Sequence, residues 1–171
     1  VGRLHSEKRH HLAIKALSLL PKELRQRVRL EIFGEGPERR VLQAMIDEEN
    51  LSDSICLKGY SDSLSQKIAQ ADIVLATSVG EPFGRATAEA LMIGCPVIGV
   101  ESGGTAELLG DGDERGILIP ADDAQALAKA IVSLADDPET ARFRTQTAST
   151  WARATLNSER YRDTVSAAID N

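Results

Sequence analysis

The sequence predicts an α/β domain, a Rossmann-like parallel sheet with helices on both faces. Three observations carry that expectation. Short β-rich runs alternate with helix-periodic segments along most of the chain, the pattern of βαβ units with right-handed crossovers. Two of the runs, "DIVLAT" (72–77) and "VIGV" (97–100), are nearly all apolar, as in strands covered on both faces. Glycine recurs directly after the strand-like runs, at the edge where open α/β sheets meet their ligands.

Taken in order, "VGRL" reads as the end of a strand followed by a turn. Residues 11–20 put Leu12, Ile14, Ala16, Leu17 and Leu20 along one helical face, and Pro21 ends it. "VRLEIF" (28–33) is a strand that stops at "GEGP". Pro37 is expected in the first turn of a helix running to about Glu49. "ICLKG" (55–59) is a strand and 63–70 a short helix. After the strand at 72–77, residues 84–93 read as a helix that Gly94 closes and Pro96 cannot extend. Past the 97–100 strand, "ESGGTAELL" (101–109) is a glycine turn into a short helix, and 116–120 is a last strand. Helices are predicted over 122–137, over 138–150 with Pro138 in its first turn, and over 157–170.

Composition narrows the function. A chain of 171 residues suits one domain. Its apolar share of 42% and charged share of 27% suit a soluble globular protein. The net charge of −6 argues against sequence-independent nucleic-acid binding. Three Phe, two Tyr and one Trp are too few for a base-stacking platform. Cys56 and Cys95 lie in apolar surroundings and read as reduced core residues of a cytoplasmic protein. No apolar run approaches the roughly 18 residues a spanning helix needs. The abrupt "VGRL" start predicts that the natural protein extends upstream.

The carboxyl-edge rule selects five loops: 2–9, 34–37, 59–63, 78–85 and 101–105. Each contains glycine, for close approach to a ligand, for a positive φ, or as an ordinary tight turn. The richest stretch is "SVGEPFGRATAEALMIGCP" (78–96), with Glu81 in a loop and Glu89 in the second turn of the following helix. Backbone N–H groups near Gly84, Arg85 and Ala86 stand at that helix start, a natural anion site. A ligand with phosphate in the middle and hydroxyls at both ends fits: Glu81 accepts from one set and Glu89 from the other. Two glutamates eight apart are weak alone, and Glu89 could equally be a solvated helix residue. Arg3 and Lys8 face the same edge and could neutralise a diphosphate, or be solvated surface bases. His5, His10 and His11 lack accompanying ligands at metal-binding spacing, so a metal site is not expected.

"VGRLHSEK", "IFGEGPE", "LKGYSD", "ATSVGEPFGRATAEALMIGCPVIGVESGGTAELL" and "GILIPADDAQALAKAI" occur in order over most of the chain. In these pieces the sequence resembles the C-terminal, donor-binding domain of retaining GT-B glycosyltransferases of the group 1 (family 4) type. The resemblance implies a hexosyltransferase when full length, with an N-terminal acceptor domain absent from residues 1–171 and this domain alone inactive. It implies a nucleoside diphosphate sugar as donor, no divalent metal or other cofactor, and an acceptor sugar, lipid or small molecule held mainly by the missing domain. It gives a cytoplasmic protein, peripheral at the inner membrane face when full length. Arg3 and Lys8, on the loop that begins at Gly2, would hold the diphosphate. Glu81 would contact the donor sugar, Phe83, Gly84, Arg85 and Ala86 would wrap sugar and phosphates, and Glu89 would hold the ribose. Gly34, Gly59 and Tyr60 would lie near the base. Two positions depart from the family pattern: Arg9 replaces a usual Gly, and Arg85 stands where small apolar residues are common. The alternatives are a non-catalytic nucleotide or sugar-phosphate sensor and a phosphorylase-like or epimerase relative on the same fold.

Overall fold

The computed structural model describes residues 1–156. Within them, five strands, β1 (Leu30–Phe33), β2 (Ile55–Gly59), β3 (Val74–Ala76), β4 (Val97–Val100) and β5 (Ile117–Ile119), alternate with eight α-helices. The helices are α1 (His10–Ser18), α2 (Lys22–Arg27), α3 (Arg39–Glu48), α4 (Leu64–Ala69), α5 (Arg85–Ile93), α6 (Gly103–Leu109), α7 (Ala124–Asp136) and α8 (Pro138–Thr155). Every strand pair is parallel, as the alternating pattern requires.

β4 lies at the centre of its sheet. All four of its residues are buried, and their side chains alternate between two cores. Ile98 and Val100 join Leu4, Ile14, Leu17 and Leu127, where α1 packs on α7 and α3. Val97 joins Ile68, Leu91, Leu109 and Ala152, where α5 packs on α8 and α4. A period of two distributes one strand over two faces, so the helices cover the sheet on both sides.

The helix ends follow local chemistry. Asp123 caps α7 by accepting from the Ala126 N–H at 2.8 Å, and Asp137 caps α8 through the Thr140 N–H at 3.0 Å. Pro138 occupies the first turn of α8. Gly94 ends α5 in the left-handed region, with its N–H and that of Cys95 returned to the carbonyls of Leu91 and Ala90.

Several expectations need correction. The strands form two hydrogen-bonded units, β1-β2 and β3-β4-β5. A cleft of about 1290 Å³ is bordered by β1 and β3 among other segments, and the parallel, Rossmann-like character of the fold stands. Val1 is not in a strand; its neighbour Gly2 donates to the Phe33 carbonyl at 3.0 Å. Pro37 lies in a turn two residues before α3. α8 runs five residues past the predicted end. Helix α2 was unforeseen because "KELRQR" has no apolar period: its single apolar residue, Leu24, is only partly buried against the core. Cys95 is buried but Cys56 is exposed: β2 alternates buried and exposed positions, and residue 56 falls on the outer side. The predicted helix at 157–170 lies outside the described residues. Among the described residues, no helix is long and apolar enough to cross a membrane.

Candidate functional site

The five loops chosen from the sequence meet at the carboxyl ends of the strands, in two groups. In the first, the N-terminal loop lies on the loop after β1. Leu4 N–H donates to Glu35 O at 2.8 Å and Glu38 N–H to Leu4 O at 3.0 Å. Gly34, at φ 143°, is so close to the Gly2 carbonyl that a Cβ there would collide with it. Gly34 also donates to Gly59 O at 2.8 Å, which joins the loop after β2. In the second group, the Gly104 N–H donates to Glu81 O at 2.8 Å and the Gly80 N–H to Ser102 Oγ at 2.9 Å. The loop after β3 is thereby fastened to the loop after β4.

One ion pair joins the groups. Lys8 Nζ lies 2.5 Å from Glu81 Oε2, with 23% and 25% of the two side chains exposed. The Lys8 hydrogen bond, helped by its charge, the Ser78 hydroxyl and Arg85, holds the Glu81 carboxyl below its ordinary range against the opposing effect of burial. Thr77, buried at the end of β3, donates its hydroxyl to the Lys8 carbonyl at 2.7 Å. The base is therefore fixed at both backbone and side chain.

A cavity of about 40 Å³ lies beside this pair, lined by Lys8, Glu81, Gly84, Ala86, Thr77 and Thr105 among others. Gly84 precedes α5 in the left-handed region, φ 79°, and no side chain caps the helix. The N–H groups of its first turn lack intrahelical acceptors and carry the positive end of the helix dipole toward the cavity. Glu89 lies one turn further on, half-buried.

The remaining predicted residues do not line the small cavity. Arg3 and Arg85 are exposed, Gly2 is half-buried, and Gly34 and Gly59 belong to the β1-β2 side. Tyr60 and Phe83 are large aromatics at 81% and 52% exposure. Arg9, where the family pattern has Gly, does adopt a left-handed conformation, φ 50°. That backbone costs a non-glycine residue roughly 1–2 kcal/mol, and the Arg9 side chain is paired with Asp122 across the loop edge.

The histidines do not gather. His10 is buried, its Nε2 3.2 Å from Arg3 O. Burial, then the nearby Val1 ammonium, lowers its pKa to about 4. His5 Nδ1 is 3.7 Å from Glu7. Sequence reasoning singled out neither Thr77 nor Ser102, which with His10 are polar side chains that hold the loops. A threonine ending an apolar strand was the one available signal for Thr77. His10 was weighed only as a metal ligand.

The chain is similar to known proteins over most of its length. A family model described as "Glycosyl transferases group 1" matches residues 1–151. The poly(glycerol-phosphate) alpha-glucosyltransferase of Bacillus subtilis is 35% identical over 141 residues, 82% of this chain and 21% of that protein. The N-acetylgalactosamine-N,N'-diacetylbacillosaminyl-diphospho-undecaprenol 4-alpha-N-acetylgalactosaminyltransferase of Campylobacter jejuni is 31% identical over 155 residues, 90% of this chain and 41% of that one. The chain thus spans less than half the length of these relatives. Anabaena HepE, solved in complex with UDP, superposes with a TM-score of 0.87 at 27% identity, covering 97% of this chain and 48% of HepE.

Proposed function

The chain belongs to the group 1 glycosyl transferases, and from that premise we propose that it is the donor half of a hexosyltransferase, binding a nucleoside diphosphate sugar for transfer to an acceptor. The observation that carries this reading is the convergence of Lys8, Glu81 and the uncapped start of α5 on one small cavity at the strand ends. A cation, a hydroxyl acceptor and an anion-binding helix start are the groups a nucleotide sugar needs. HepE was solved with UDP and with UDP-glucose, which makes uridine the first base to test. The relatives named above are transferases, which disfavours the non-catalytic sensor.

In the proposed reaction the bond between the anomeric carbon and the diphosphate oxygen breaks. Negative charge grows on the leaving diphosphate. Arg3, Lys8 and the N–H groups at 84–86 stabilise that charge where it develops. No divalent metal is required, because these groups supply the positive potential. Lys8 exchanges Glu81 for phosphate as the donor arrives. Glu81 then accepts from the donor sugar's hydroxyls, and Glu89 from the ribose. Phe83, Gly84, Arg85 and Ala86 wrap sugar and phosphates, and Gly34, Gly59 and Tyr60 border the base. Transfer proceeds with retention, and an N-terminal domain holds the acceptor. A peripheral place at the inner membrane face suits a lipid-borne acceptor.

The test is Glu89→Ala in the full-length protein. Hydrogen bonds to a charged acceptor are worth roughly 1.5–3 kcal/mol, so calorimetry should read a Kd for UDP-glucose at least tenfold weaker, with the thermal melt unchanged. An unaltered Kd contradicts the ribose role.

A further inference from the structure

Among the described residues, four polar side chains are buried: His10, Thr77, Thr87 and Thr105. All four line the cavity of about 40 Å³ beside Lys8 and Glu81. Burying a polar group costs free energy that an apolar residue in the same place would not incur. The two cores are built mainly from Leu, Ile, Val and Ala. Polar burial therefore belongs to the site and not to the fold at large.

Two of the four side chains hold main chain. Thr77 stands directly after β3 and four residues before Glu81. Its hydroxyl donates to the Lys8 carbonyl at 2.7 Å. His10 opens α1, and its Nε2 lies 3.2 Å from the Arg3 carbonyl oxygen. A carbonyl only accepts, so Nε2 carries the ring proton. The two carbonyls belong to the two cations assigned to the diphosphate, one each. Lys8 ends a short turn, Ser6–Lys8, that buries no residue, so packing does not fix it.

Among the described residues, two polar contacts join the loop at 2–9 to residues 77–85: the Lys8–Glu81 ion pair and the Thr77 bond. Donor binding opens the ion pair. The Thr77 bond does not involve the ammonium, so it persists and keeps the Lys8 main chain at the cavity wall while the side chain turns to phosphate. We propose, resting on the donor reading, that Thr77 and His10 are positioning residues of the donor site, which fix the backbone of Lys8 and Arg3 so that both cations are aimed before the diphosphate arrives. Groups fixed in advance avoid the ordering cost of binding and stabilise charge where it develops.

The experiment measures nucleotide affinity and thermal melts of the full-length protein in two pairs of variants. UDP, GDP and ADP are titrated against the wild type, and the tightest of them against the variants. Thr77→Val removes the hydroxyl and keeps the shape, whereas Thr77→Ser keeps the hydroxyl and loses a methyl. Thr77→Val should weaken binding about threefold to tenfold, the loss of one hydrogen bond, and Thr77→Ser should stay within about twofold of the wild type. His10→Leu should weaken binding to the same extent, while His10→Gln, whose Nε2 can donate in the same place, should retain it. Packing alone predicts the reverse order in both pairs, because valine and leucine suit a buried place better than serine and glutamine. Equal affinities within either pair, or the reverse order, overturn the proposal. If the wild type binds none of the three nucleotides, the donor reading fails and takes the proposal with it, a result distinct from wild-type binding that the variants leave unchanged. Should the melt show that Thr77→Val does not fold, the His10 pair decides.

Discussion

Replacing Glu81 by Gln should separate the two halves of the donor. In the free domain the Glu81 carboxylate holds the Lys8 ammonium at 2.5 Å, with about a quarter of each side chain exposed. A pair that is partly solvated contributes about 1 kcal/mol or less. Lys8 gives up this contact when it turns to a diphosphate. Glu81→Gln removes the competing charge, so UDP should bind as tightly as to the wild type or up to about fivefold more tightly. UDP-glucose should behave in the opposite way, because its sugar hydroxyls lose a charged acceptor worth roughly 1.5–3 kcal/mol. Its Kd should rise, by about twofold where the full gain at Lys8 offsets the smallest loss and by more than tenfold where it does not. The ratio of the two affinities should therefore move by one to two orders of magnitude from a single carboxylate-to-amide change. Calorimetric titration of the full-length protein with both ligands at low salt reads the ratio directly, and thermal melts confirm that the variant is folded. A parallel loss of affinity for UDP and UDP-glucose would refute the reasoning, since Glu81 would then be supporting the phosphate side.

Two further outcomes test the structural frame. Gly84→Ala forces a side chain into a left-handed backbone, with its Cβ 3.2 Å from Thr105 Oγ and 3.4 Å from Leu108 Cδ1. A loss of about 1–2 kcal/mol is expected in urea melts, and an unchanged midpoint would contradict the assigned conformation. His10 gives the 171-residue chain a pH signature. Its folded pKa of about 4 lies below the ordinary 6.5, so the unfolded chain binds the extra proton as pH falls through 6.5. Stability from this group is complete above about 6.5, declines toward 4 and is constant below. Urea melts at pH 7 and pH 5 should differ by about 2 kcal/mol through His10, and His10→Gln should remove that difference; a slope unaffected by His10→Gln would show that the group does not titrate as described.

Much of the domain was legible because its signals are local. Apolar runs located β3 and β4 within two residues. Glycine and proline set the limits of α5, where Gly84 and Gly94 both take left-handed conformations. The carboxyl-edge rule chose five loops that do come together. What escaped depends on partners distant in sequence. Lys8 and Glu81 are 73 positions apart, and Lys8 and Thr77 are 69 apart. Nothing in the sequence near Lys8 reveals that its charge is already partnered in the free domain. Helix α2 escaped because its hydrogen bonds and turn geometry, not an apolar face, define it.

The most direct test of the account is an amide hydrogen-exchange map of the full-length protein with and without saturating UDP. If the diphosphate lies at the start of α5, the N–H groups of residues 84–86, which lack helical acceptors, should gain protection together with the loop at 2–8. Protection confined to other surfaces, or none at residues 84–86 under saturation, would contradict the assignment of this edge as the donor site.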